Sequence, residues 1–80
     1  MDKAFNKLVS EVIAGNLGCE PEEVYMVWQS KTLQNIKGLF SSDVDQAKGL
    51  YYEATYNGDK NEMYLDTYKK LNNQVIPVEF

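Results

Sequence analysis

The chain contains no arginine and no histidine, and among its 80 residues there is a single cysteine, Cys19. Each absence excludes a class of chemistry. Without arginine the protein lacks the forked donor that best grips phosphate and guanine edges. Without histidine it lacks the commonest general base and a leading transition-metal ligand. One cysteine cannot close an internal disulfide and leaves a structural zinc site without partners, a pattern that fits a reducing cytoplasm. No long apolar run is present either. The opening "MDKAFNKLVSEVIAGNLG" scatters charges among its apolar residues, so it reads as neither a signal peptide nor a membrane span.

What is present defines a small acidic domain. Eight lysines face twelve carboxylates, giving a net charge of −4. That balance argues against generic binding to nucleic acid. Hydrophobic residues make up 44% and charged residues 25%, which is ordinary for a folded globular chain. Residues 1–80 are expected to form one α+β domain, since a chain this short has no room for a second core.

The hydrophobic pattern places the elements. Ala4, Phe5, Leu8, Val9, Val12 and Ile13 recur at the spacing of one helix face, which predicts a helix from about Asp2 to Asn16. Asp2 suits the positive end of its dipole, and Gly15, Asn16 and Gly18 end it. The run from Val24 to Trp28, dense in β-branched and aromatic residues, predicts a strand continuing to about Thr32. Strict alternation puts Val24, Met26 and Trp28 on one face and Tyr25, Val27 and Gln29 on the other. A turn near Gln34-Asn35 leads to a second strand, about Lys37 to Ser42. A third follows from Leu50 to Tyr56.

The segment "NGDKNEMYLDTYKK" supports two readings. As a helix, Asp59 caps the N-terminus, Glu62 completes a capping box, and Tyr64, Tyr68, Leu71 and Val75 line one side. As a strand, Asn57-Gly58 makes the hairpin turn, and Met63, Leu65 and Thr67 alternate with Tyr64, Asp66 and Tyr68. The segment is poor in β-branched residues and rich in Glu, Met, Leu and Lys, which favours the helix. The expected order is therefore an N-terminal helix, a three-stranded antiparallel meander and a C-terminal helix. The alternative is a helix followed by a four-stranded antiparallel sheet.

No motif with chemistry stands out. Asp43 and Asp45 open like a calcium loop, but Lys48 and Ala54 occupy the positions that require glycine and glutamate. Gly58 and Lys60 lack the rest of a phosphate loop. Ser30, Ser41 and Ser42 have no histidine to activate them, and Cys19 has none either. The expectation is a protein that is not an enzyme, with no cofactor or metal. Ten aromatic residues, including six tyrosines and Trp28, serve a core or a protein interface better than base stacking when no basic groove accompanies them. With the larger apolar set covered by helices, Tyr25, Val27 and Tyr51 are left together on the open face of the sheet. They form the candidate interaction surface, for a protein partner or for self-association, unless "QVIPVEF" folds over them.

Val27-Trp28, Lys31-Thr32-Leu33-Gln34-Asn35, Tyr51-Tyr52-Glu53, Tyr56-Asn57-Gly58-Asp59-Lys60 and Tyr64-Leu65-Asp66 with Tyr68-Lys69-Lys70 carry a resemblance covering most of residues 24–70. There the chain resembles an uncharacterised family of small proteins carried by prophages and integrative elements of Gram-positive bacteria such as lactobacilli and streptococci. The resemblance implies a phage-related origin and a bacterial cytoplasm, and it brings no catalytic residue. The leading expectation is a non-enzymatic phage accessory protein that binds a host or phage protein. A nucleic-acid-binding module is one alternative, from the α-β-β-β-α order; an acidic inhibitor imitating DNA is another.

Overall fold

The computed structural model describes residues 3–80. Helix α1 (Lys3–Leu17) lies on a four-stranded antiparallel sheet of β1 (Val24–Thr32), β2 (Asn35–Ser42), β3 (Leu50–Asn57) and β4 (Glu62–Lys69). Strand order in the sheet follows the chain, β1-β2-β3-β4. Short 3₁₀ turns at Pro21–Glu23 and Asp45–Ala47 join α1 to β1 and β2 to β3. The three-stranded meander with a C-terminal helix is thus corrected to the four-stranded alternative. The proposed dipole partner Asp2 lies outside the described residues.

The core forms where α1 meets the sheet centre. Phe5, Val9, Ile13 and Leu17 descend on it at every fourth position, against Ile36 and Phe40 of β2 and Tyr52 and Ala54 of β3. The Phe5 and Phe40 rings are tilted, with centroids 6.1 Å apart, a favourable aromatic arrangement. At Gly38 an added Cβ would sit 2.9 Å from the Phe40 ring, so only glycine leaves the ring its place. The helix stops where Gly18 turns to a φ of 72° and the N–H groups of Gly18 and Cys19 both donate to the Ala14 carbonyl, a glycine-based C-terminal cap.

Two local events set the faces of the sheet. In β1 the register slips: Met26 lies opposite Phe40 but Trp28 lies opposite Leu39, leaving Val27 as the extra residue of a β-bulge. A bulge inverts the alternation beyond it. Trp28, expected under the helix, therefore joins the open face, and Gln29 takes the helix side opposite Gly38. There Gln29 Nε2 donates to Asn6 Oδ1 of α1 at 2.9 Å.

The second event is the β3–β4 turn. Asn57 Oδ1 accepts the backbone N–H groups of Asp59 and Lys60 at 3.0 and 3.3 Å, and Asn61 adopts a φ of 54°. This side-chain turn supplants the helix cap assigned to Asp59. Gly58 is packed against the backbone and Cβ of Gln34 in the β1–β2 turn, and its N–H donates to Asn35 Oδ1. The two hairpin tips are locked together. Beyond the turn Met63, Leu65 and Thr67 pair with Tyr56, Ala54 and Tyr52, extending the helix side of the sheet by one strand.

Candidate functional site

Because α1 is the only helix beyond the short turns among the described residues, one face of the sheet is left without a covering layer. Registered pairs define its side chains. Trp28, Leu39, Glu53 and Asp66 form one row across the four strands, and Ser30, Lys37, Thr55 and Tyr64 form the next. Tyr25 beside Ser41, and Tyr51 beside Tyr68, continue the face toward one end. Five aromatic residues thus share the open face: Tyr25, Trp28, Tyr51, Tyr64 and Tyr68. Trp28 retains 42% of its accessible surface and Tyr68 51%. Exposed aromatic groups clustered on so small a protein mark an interaction surface.

Two shallow hollows shape the face. One, of about 500 Å³, runs between Trp28 and Tyr64 over Lys37 and Thr55. The second, of about 350 Å³, is bounded by Tyr25, Tyr51 and Lys70. The electrostatics are predominantly acidic. Around the first hollow Glu53, Glu62 and Asp66 stand against Lys37, whose Nζ lies 3.6 Å from Glu53 Oε2; Asp43 and Asp45 with Lys48 and Lys70 line the second. The Tyr64 hydroxyl donates to Glu62 Oε1 at 2.9 Å and that of Tyr68 to Glu53 Oε1 at 3.4 Å. These neighbours raise both phenol pKa values: the hydrogen bond to Glu62 acts chiefly at Tyr64, and the negative charge of Glu53, then Asp66, at Tyr68. The hydroxyls are held as donors at neutral pH.

Of the sequence-derived surface, Tyr25 and Tyr51 border the same hollow, whereas Val27 is the exposed bulge residue of β1. Trp28, Leu39, Tyr64 and Tyr68 were not anticipated there. Trp28 was hidden by the bulge, which has no glycine to announce it. Tyr64 and Tyr68 were hidden by the helical reading, although Asn57-Gly58 and the alternation after it were the signal. The segment "QVIPVEF" does not cover the face; all of its residues are exposed.

Other candidates for chemistry remain apart. Cys19 is half-buried, and burial, then Glu23 and Glu20, raise its thiol pKa, the opposite of an activated nucleophile. Among the described residues no cluster of three or more cysteine or carboxylate groups could hold a metal ion. No described helix is long and apolar enough to cross a membrane.

The family comparison matches residues 2–78 to a family of unknown function, DUF6275. The chain belongs to that family. No curated protein and no solved structure matches it. The DUF6275 match spans α1, all four strands and most of the segment after β4, so the whole fold described above falls within the family's bounds.

Proposed function

We propose that this DUF6275 protein is a non-enzymatic binding module that holds a protein partner on the open face of its sheet. The carrying observation is that face itself: five aromatic residues in a field where five carboxylates outnumber three lysines. Such a surface suits a segment that is apolar and basic. Lysine or arginine side chains of the partner would lie over Trp28 and the tyrosines, where cations are attracted to ring faces. Glu53, Glu62 and Asp66 would receive their charge. Its resemblance to phage-borne proteins supports a role as an accessory protein in a bacterial cytoplasm, directed at a host or phage protein.

An aromatic open sheet is also the platform on which single-stranded nucleic acids stack. The acidic field opposes a phosphate backbone, which needs cations along its path. The test compares the wild-type chain with Trp28→Ala and Tyr64→Ala, both outside the buried core. Partners captured by the wild type are identified, and their binding is measured with purified components. The expected result is a specific protein partner whose affinity falls at least tenfold in each variant while folding is retained. Single-stranded oligonucleotide binding that weakens steeply with salt, or partner affinity unchanged in both variants, would overturn the reading.

A further inference from the structure

The helix side of the sheet carries a second apolar surface, which the open face does not share. Helix α1 covers the centre of the sheet but not β4. Leu8 borders this flank and remains 49% exposed. Between α1 and β4 lies a cavity of about 270 Å³ lined by Ala4, Phe5, Leu8, Ile36, Tyr56 and Met63, with no charged residue in its wall. A dry apolar cavity of about 150 Å³ already accepts a benzene ring, so this groove has room for more than one large side chain.

The chain also carries an apolar segment with nothing to bury it. After β4, the N–H of Lys70 donates to the Gly49 carbonyl, and from Leu71 to Phe80 no residue is in a helix or strand and all are exposed. Ile76, Val78 and Phe80 alternate as they would along one side of an extended strand, and their exposures are 68%, 62% and 114%. Glu79 is the only charged residue from Leu71 onward. The segment projects from the body: the radius of gyration is 14.3 Å, against about 12 Å for a compact chain of this length.

We propose that residues 71–80 of one molecule dock into the α1–β4 groove of a second copy, with the exchange returned by symmetry. Groove and segment match in apolarity: no charged residue lines the groove, and Ile76, Val78 and Phe80 fall on the side of the segment opposite Glu79. Geometry favours a second copy over the chain's own groove. The segment departs beside Gly49, at the end of β4 opposite Met63, where the groove lies, and none of its residues lines that groove. Fully extended, its ten residues reach about 33 Å, enough to cross to a neighbour. Reciprocal exchange is an isologous two-fold arrangement. It covers two segments and two grooves at once, which moves the contact toward the roughly 1,200–2,000 Å² of a stable interface.

The experiment is the solution mass of the full chain, by sedimentation equilibrium, across micromolar to submillimolar concentrations. The expected value is twice the 9.2 kDa of one chain. Ile76→Asp with Phe80→Asp, which lie outside the folded body, should halve the mass and leave the far-ultraviolet spectrum of the sheet intact. Leu8→Glu should do the same from the groove side, and the segment variant decides the matter if Leu8→Glu unfolds. Trp28→Glu, on the opposite face, should leave the doubled mass unchanged, which keeps this test separate from that of the partner-binding face. A wild-type chain of single mass throughout, a pair that survives the segment variant, or a pair dissolved by Trp28→Glu would overturn the proposal.

Discussion

Single side chains decide two features of this molecule, and Asn57 is the clearer case. Its carboxamide oxygen takes the N–H groups of Asp59 and Lys60, so the chain reverses four residues before β4 begins. Asp59, which looks like a helix cap in the sequence, is exposed and needs no such role. Asn57→Ala is expected to lower the unfolding free energy by about 0.5–1.5 kcal/mol, the ordinary worth of a hydrogen-bonded turn side chain. Asp59→Ala should change it by less than about 0.5 kcal/mol. Urea denaturation of the two variants checks both, and the reverse order would restore the cap. The other decisive position is Val27. One extra residue there moves an indole from the covered face to the open one, and so makes the aromatic surface.

At the scale of elements, most of the architecture was legible. The 3.6-residue recurrence in Phe5, Val9 and Ile13 announces α1, and the β-branched and aromatic runs announce β1 and β3 to within a residue or two. Two things were not legible, for different reasons. Helix propensity across Glu62–Lys69 differs from strand propensity by only tenths of a kcal/mol per residue, whereas pairing with β3 supplies a full ladder and covers Ala54. Tertiary pairing therefore outweighs local preference. The bulge at Val27 depends on register against β2, which no single strand reveals. The candidate site suffered from both: Tyr25 and Tyr51 could be placed, but Trp28, Tyr64 and Tyr68 could not. The buried face of α1 is also one row narrower than the apolar periodicity predicts. Ile13 is fully buried while Leu8 is half exposed. Ile13→Ala should therefore cost about 2–5 kcal/mol. Leu8→Ala should cost less than about 1 kcal/mol when measured at low protein concentration, where association contributes nothing. Equal losses would show that α1 sits rotated from the position described.

For the whole molecule, the acidic excess and the tyrosines together set how stability responds to alkali. Tyr64 and Tyr68 have raised pKa values because carboxylates accept hydrogen bonds from their neutral phenols and repel the phenolates. Tyr52 is raised by burial, and Cys19 by burial and two glutamates. In every case the folded state holds the proton more tightly than the unfolded chain does. Their contribution is fully present below the unfolded values, about 8.5 for the thiol and about 10 for the phenols. It is lost as pH rises through the higher folded values. Stability should therefore not vary with pH through these groups near neutrality and should fall above about pH 9–10. The urea midpoint at pH 8 and at pH 11 measures the loss. Tyr64→Phe with Tyr68→Phe should show a smaller fall between the two, since those phenols can no longer ionise beside Glu62, Glu53 and Asp66. An identical fall in variant and wild type would mean that the open-face tyrosines do not sense the carboxylates around them, and that the alkaline response belongs to Tyr52 or Cys19.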